Sequence, residues 1–439
     1  MDDYSLTASP GRTLPVAVRG AGLRIWDRDG TEWLDACGGA MVMSLGHCHP
    51  RLVEVVRRQA AELTFTYRFS FSNEPMIELA GLLREIAPME RAWGFFNSSG
   101  SESVESAIHL AVLYWQHLGQ PSKLELISRY PSYHGSTLGA LGLSGSAWRQ
   151  AFELILEKNA IAQAPGADIR ARRPPAAELE FGLDQIEEAI VSRGADHVAG
   201  VFIEPISGAS AAAVVPPDGY LEGVRALCDR YGVLMICDET VTAFGRTGAW
   251  FGVDHWNVKP DIATFAKGIS SGMTPMSGMA VSGQIADVFA ATPDGFPWGH
   301  TFSGNPLGCA VACEVIRTIR EEGLVENARA MGDRLRVGLE EIAAGSPHIG
   351  QVRGRGLLQG LELVTDLDSL EPLPGGSGQL TAGARERNLM IYSCPTPLGR
   401  RAVEAVMLAP PLIVDEADVD TILERLADAV AELSFRTSP

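Results

Sequence analysis

Val233-Leu234-Met235-Ile236-Cys237-Asp238-Glu239-Thr240 is an uninterrupted apolar run that ends in two acids, and Phe265-Ala266-Lys267-Gly268 closes a second such run, 262–266, further along. A short stretch with no polar face reads as a strand covered on both sides, the mark of a parallel sheet. Comparable runs stand at 123–128 and 198–205, and helical or loop sequence separates each from the next. Strands alternating with helices predict an α/β fold whose large domain is a mostly parallel, doubly wound sheet.

Outward from this centre the pattern stays regular. A β-type run at Ala92–Phe96 ends in Asn97-Ser98-Ser99-Gly100-Ser101, and a helix follows to about Leu118. Helical periodicity marks Pro50–Leu63 and Glu74–Ile86, and residues 23–36 alternate around Asp29-Gly30 as a hairpin does. The Pro- and Ala-rich stretch 164–180 reads as a surface loop. Beyond about residue 320 a charged helix (Glu321–Ala344), a strand (Leu357–Leu363), a loop (Leu370–Gly378) and an amphipathic helix (Ala417–Leu433) are expected. The domains are therefore read as 1–60 and 321–439 together forming a smaller α/β domain, around a large domain of 61–320.

The net charge of −18 argues against a nucleic-acid backbone or an anionic membrane as partner. Met1-Asp2-Asp3-Tyr4-Ser5 lacks the basic and apolar regions of a secretory leader, and no apolar stretch is long enough to span a bilayer. Seven scattered cysteines read as reduced thiols in a cytoplasmic protein. His47-Cys48-His49 has no second cluster to complete a ligand set, so no metal is expected.

Chemistry concentrates at the strand ends. A buried lysine is costly unless it is paired or used covalently, and Lys267 closes an apolar run. An acid at the carboxyl end of a strand faces the crevice where open α/β sheets bind ligands, and Asp238 stands there, although it reads equally as a helix cap. Lysine plus acid in this order is what pyridoxal 5'-phosphate chemistry needs: an amine for the cofactor aldehyde and a carboxylate for the pyridine nitrogen. Ser99-Gly100-Ser101 opens a helix whose free N–H groups suit a phosphate; an ordinary N-cap has the same sequence. Tyr133, with His134 beside it, follows a strand and offers a ring for stacking on a flat cofactor, or a core tyrosine.

Gly46-His47-Cys48-His49-Pro50, Ser99-Gly100-Ser101-Glu102, Tyr133-His134-Gly135, Glu204-Pro205-Ile206, Asp238-Glu239-Thr240, Phe244-Gly245-Arg246-Thr247-Gly248, Ala266-Lys267-Gly268, His300-Thr301-Phe302-Ser303-Gly304-Asn305-Pro306, Arg353-Gly354-Arg355-Gly356 and Ala409-Pro410-Pro411-Leu412 follow one another along the chain. With these the sequence resembles class III aminotransferases of the pyridoxal phosphate fold type I superfamily over nearly its whole length. The resemblance implies that Lys267 is the Schiff-base lysine and proton shuttle and Asp238 the partner of the pyridine nitrogen. It implies that Tyr133 stacks on the ring and that Gly100 and Ser101 cradle the phosphate, with Ser99, His134, Glu204 and Thr240 in the same cofactor-contacting motifs. Thr301, with Phe302 beside it, would reach the phosphate of a neighbouring subunit, which implies a homodimer with shared active sites.

Three departures bear on substrate. Thr240 stands where the family usually has Val, and Ser98 where it has Asn. Five residues after Glu204 the ornithine and 4-aminobutyrate branches carry a Glu; this chain has Ala209, which favours the branch acting on amines, ω-amino acids or diaminopelargonate-type substrates. Asp35-Ala36-Cys37-Gly38-Gly39-Ala40 also resembles that branch, and Gly38-Gly39-Ala40-Met41-Val42-Met43 reads as a small-residue entrance that admits a bulky apolar substrate without selecting one. Arg400 and Arg401 lie where the family carries a mobile arginine and read either as substrate-binding groups or as a solvated pair; Arg246 is a third candidate, with a structural role beside Gly245 as its other reading. The implied activity is ping-pong transfer of an amino group from an amine or ω-amino acid donor to a keto acid or aldehyde acceptor. An isomerase on the same scaffold, an amino-acid epimerase or a semialdehyde aminomutase, is the alternative, and a cofactor-binding protein without turnover is a more distant one.

Overall fold

The computed structural model describes residues 14–145, 147–156, 159–394 and 403–434. At its centre lies a seven-stranded sheet in the order Trp93–Asn97, Ser277–Val281, Ile262–Phe265, Leu234–Asp238, Val198–Ile203, Glu125–Tyr130, Ala160–Gln163. Ser277–Val281 runs antiparallel to both its neighbours, and the other pairings are parallel. Every residue of Val198–Ile203 and Leu234–Asp238 is buried, as strands with helices on both faces require. Parallel pairing then does the positioning. Asp238 lies opposite Thr264, and Ile203 opposite Cys237, so neighbouring strands end at the same edge. Four loops leave that edge side by side, and they carry Lys267, Asp238, Glu204 and Tyr133-His134.

Two smaller sheets flank this layer. One holds Ala17–Ala21, Arg24–Asp27 and Glu32–Asp35, with Leu389–Met390 added in parallel to the last. The other holds Ile349–Arg355, Leu358–Leu363, Ala405–Leu408 and Tyr392–Ser393. The expected hairpin at 23–36 and the helices Pro50–Glu62, Glu74–Ile86 and Gly100–His117 are all present.

The architecture differs from the sequence reading in three places. The stretch expected as a loop to 180 already contains the helix Pro175–Arg193, because proline is tolerated in a first turn and Ala-Ala-Glu-Leu-Glu favours helix behind it. The charged helix expected over 321–344 is present but starts at Leu324, because Gly323, with a left-handed φ of 63°, separates it from the preceding helix Pro306–Glu321. The loop expected to 378 gives way earlier to the helix Gly376–Glu386. The strands Ala160–Gln163 and Ser277–Val281 are short and rich in small residues, so no apolar run announced them.

Candidate active site

A cavity of about 530 Å³ opens at the carboxyl edge of the central sheet, and Gly100, Ser101, Tyr133, Asp238, Thr240 and Lys267 are among the residues that line it. Asp238 is the last residue of its strand and is buried. Its Oδ1 accepts the Thr240 N–H (3.0 Å) and the Thr264 hydroxyl (3.2 Å); its Oδ2 lies 2.8 Å from His134 Nδ1. Burial alone would raise this carboxyl, but the His134 hydrogen bond and charge, with the Thr240 contacts, hold it below the ordinary carboxylate value. Asp238 is thus an ionised group kept in place from three sides. The imidazole of His134 is itself buried against Phe202, ring edge to face at 4.9 Å.

Lys267 follows the neighbouring strand with a left-handed φ of 47°, a conformation unusual for lysine. Burial lowers its ammonium to about 8, against the opposing pull of Asp238 and Glu204. A neutral amine is therefore available close to neutral pH, which an exposed lysine does not offer. Glu204 is buried, with Oε1 accepting the Gly208 N–H at 2.8 Å and Oε2 left without a partner. Burial raises its carboxyl.

The start of the helix Gly100–His117 also borders the cavity, next to Ala266 and Thr240. Ser99 is its N-cap, its Oγ accepting the Glu102 N–H at 3.3 Å, so the capping reading of this residue describes its local role. Gly100 and Ser101 are the first helical residues and face the cavity, where the positive end of the helix dipole points. The backbone there is tightly nested. Gly135 has a φ of 140°, and a Cβ on it would lie 2.5 Å from Ser101 Oγ, so only glycine fits. Tyr133 is 45% exposed and its ring borders the cavity, which is the open placement rather than the core one.

The remaining candidates are not in this group. Thr301 and Phe302 are exposed and do not line the cavity; Phe302 meets Phe65 edge to face at 5.8 Å. Arg246 is buried behind the site, where Nη1 donates to the carbonyls of Leu357 (3.2 Å) and Pro410. Arg400 and Arg401 lie outside the described residues. Ala40, Ile206, Gly208, Ala209, Tyr392 and Cys394 also line the cavity. Ala40 sits in the small-residue stretch read as an entrance; Tyr392 and Cys394 come from a distant edge strand and carry no signal in the sequence.

A buried amine, an ionised acid and a helix N-terminus around one cavity fit a ligand with an electrophilic carbonyl, a basic ring nitrogen and a phosphate. The comparisons with known proteins point the same way. The aminotransferase class-III family model matches residues 7–430. The chain belongs to the class-III aminotransferases. It is 33% identical over 435 residues to the uncharacterized aminotransferase YodT of Bacillus subtilis (strain 168), covering 98% of each chain. It is 33% identical to the diaminobutyrate–2-oxoglutarate transaminase of Halomonas elongata, over 98% of this chain and 92% of that one. The crystal structure of the omega transaminase from Pseudomonas jessenii in complex with PMP superposes with a TM-score of 0.89 at 32% identity, covering 97% of this chain and 96% of that one. This class-III aminotransferase uses pyridoxal 5'-phosphate to move an amino group from a donor to an acceptor. The named relatives do not favour the isomerase alternative. Among the described residues no helix is long and apolar enough to cross a membrane.

Proposed function

We propose that the cavity is the cofactor and donor site, with Lys267 and Asp238 as its catalytic residues. The observation that carries this reading is the placement of Lys267, Asp238, Glu204 and Tyr133 on adjacent loops of one sheet edge, above a helix N-terminus. When bound, the cofactor supplies a carbonyl for the amine and a protonated ring that withdraws electrons from the substrate carbon. Asp238 holds the proton on the ring nitrogen; Gly100, Ser101 and the Ser99 cap receive the phosphate; Tyr133 covers the ring. Thr240 and His134 keep the Asp238 carboxylate aimed, and Glu204 borders the same space. Lys267 Nζ would remove the proton from the donor carbon in the first half-reaction and, with the transfers reversed, supply one to the acceptor carbon in the second.

Small side chains at Ala40, Gly208 and Ala209 support a donor that is an amine or an ω-amino acid, and the absence of a Glu at 209 leaves an arginine free to meet the acceptor carboxylate. Arg400 and Arg401 remain the candidates for that contact, with Arg246 behind them. Arg400→Ala or Arg401→Ala is expected to weaken keto acid acceptors at least tenfold more than uncharged amine donors, because only the acceptor offers a carboxylate for bidentate pairing. The test is a two-stage assay on the parent and both variants. Donor alone should give carbonyl product in a single turnover, and continued turnover should need an acceptor. Multiple turnovers with no acceptor, giving a rearranged amine rather than a carbonyl product, would convert the reading to an isomerase.

The division of the chain near residues 60 and 320 and a cytoplasmic setting belong to the same proposal, the latter supported by seven free thiols. So does the homodimer. Phe65, Tyr67, Phe69, Phe71 and Phe302 are all exposed, and Phe65 meets Phe302, the neighbour of Thr301, edge to face, which supports an interface here. If Thr301 serves the partner's site, mixing Lys267→Ala with Thr301→Asp chains should restore activity. Each mixed dimer carries one site with both lesions and one with neither, so equal mixing with free exchange should return roughly a quarter of parental sites. No recovery after confirmed exchange removes Thr301 from the site.

A further inference from the structure

The motif Arg353-Gly354-Arg355-Gly356 has no part in the chemistry described above, yet its backbone and side chains reach the active-site loops. Arg353 is 5% exposed and lies on the strand Ile349–Arg355 of the C-terminal sheet. Its Nε donates to the carbonyl of Ala212 at 2.8 Å, and its Nη1 donates to Glu362 and, at 3.2 Å, to Gln351. Both members of the Arg353–Glu362 pair are buried, so the guanidinium is held by a charge it cannot exchange for water. The carbonyl it grips belongs to a strained place. Ala212 and Ala213 are consecutive left-handed residues, with φ of 48° and 62°, and neither is glycine. Gly360, the cross-strand partner of Arg353, packs against the same carbonyl so closely that a Cβ there would lie 2.1 Å from the Ala212 oxygen. Such a pair persists only where its surroundings over-determine it.

The strained pair ends the loop that forms one wall of the cavity. Gly208, Ala209 and Ser210 line the cavity directly. From the large sheet the loop is held by Glu204 Oε1 on the Gly208 N–H, and it is closed on itself by Ser207 N–H to Val214 O at 2.9 Å and Ala211 N–H to Gly208 O at 3.3 Å. The turn after Arg353 also grips the segment that continues from Asp238 and Thr240: Leu357 N–H donates to Arg246 O at 3.0 Å, and a Cβ on Gly356 would lie 2.4 Å from the carbonyl carbon of Thr247. The motif therefore joins the C-terminal sheet to that loop and to this segment.

We propose that Arg353, held by Glu362, is a positioning residue that sets donor discrimination by fixing the wall Gly208–Ser210 through the Ala212 carbonyl. It touches neither cofactor nor substrate. Without its planar fork the left-handed pair is free to relax, and the wall moves with it. Lysine in its place keeps the charge and loses the two-directional grip.

This rests on reading the cavity as the donor site, and the experiment separates the two. For the parent and Arg353→Lys holoenzymes, kcat and KM are measured with a small and a bulky donor drawn from the amines and ω-amino acids the parent turns over. A parent that transaminates neither class sinks the site reading itself. In Arg353→Lys the ratio of kcat/KM between the two donors should fall toward one by about tenfold, carried by KM, with kcat for the small donor and cofactor retention close to parental. A ratio within about threefold of parental overturns the proposal, and so does an equal loss on both donors accompanied by cofactor release, which is the signature of a merely structural role. Should Arg353→Lys fail to fold, Glu362→Gln leaves the guanidinium a neutral partner and is read by the same ratio and the same limits. Hydrogen exchange on the parent holoenzyme is independent of any variant: the amides of Ser207 and Ala211 should be protected, and exchange there at the rate of an open loop overturns the clamp.

Discussion

Lys267→Ala should fold, hold cofactor non-covalently at best, and lose turnover by about 10⁴-fold or more, because one amine serves as both the covalent anchor and the proton carrier. No other lysine replaces it: the amine must be buried at a strand end beside Asp238, and burial is what lowers it to about 8 and makes it a base near neutrality. Borohydride reduction of the parent, followed by peptide mass mapping, checks the assignment, and a cofactor label on a different lysine sinks it. The fold should survive because Lys267 lies in a short 3-10 turn after the strand, and its left-handed backbone loses little when the side chain is shortened.

Asp238→Asn carries the second large effect. The carboxylate accepts on both oxygens, from Thr240 and Thr264 on one and beside His134 Nδ1 on the other. An amide of the same shape must turn an NH₂ toward one of these groups and loses the negative charge as well. With the charge gone, the ring nitrogen of the bound cofactor no longer keeps its proton, and the electron-withdrawing power on which proton removal depends declines. Proton abstraction should slow by a factor on the order of 10²–10³, while phosphate binding at Gly100 and Ser101 largely persists. Stopped-flow measurement of the donor half-reaction, with cofactor affinity measured separately, distinguishes the two; a near-parental rate refutes the role of Asp238.

Much of this was legible in the chain because it is written in local physics. A run such as Val233–Cys237 has no polar face, so it must be covered on both sides, and an acid or a lysine directly after such a run arrives at the carboxyl edge of a sheet whatever the details of packing. Ser99-Gly100-Ser101 after one strand and before a helix is likewise local. The motif order then pointed to the family, and the site is built from residues that each sit within a few positions of a strand end. Helix limits were less legible where composition misleads: Pro175 suggested a loop, and Gly323 sets the start of the charged helix three residues later than the charge pattern suggests.

Other features rest on pairings between residues far apart in sequence. Tyr392 and Cys394 reach the cavity only because an edge strand folds back beside Ala405–Leu408. Thr301 and Phe302 lie outside the cavity of their own chain, and Arg246 Nη1 donates to the carbonyls of Leu357 and Pro410 while Nη2 stays buried without a partner among the described residues. Arg353 meets Ala212 across 141 positions, and nothing at either residue announces the contact. The sequence by itself determined the sheet, its functional edge, and the lysine and acid placed there, since burial of short apolar runs and the chemistry of strand ends follow from neighbouring residues. Only the tertiary structure decided the shape of the cavity wall, because a strained turn such as Ala212-Ala213 is held by partners that the fold brings together from separate sheets.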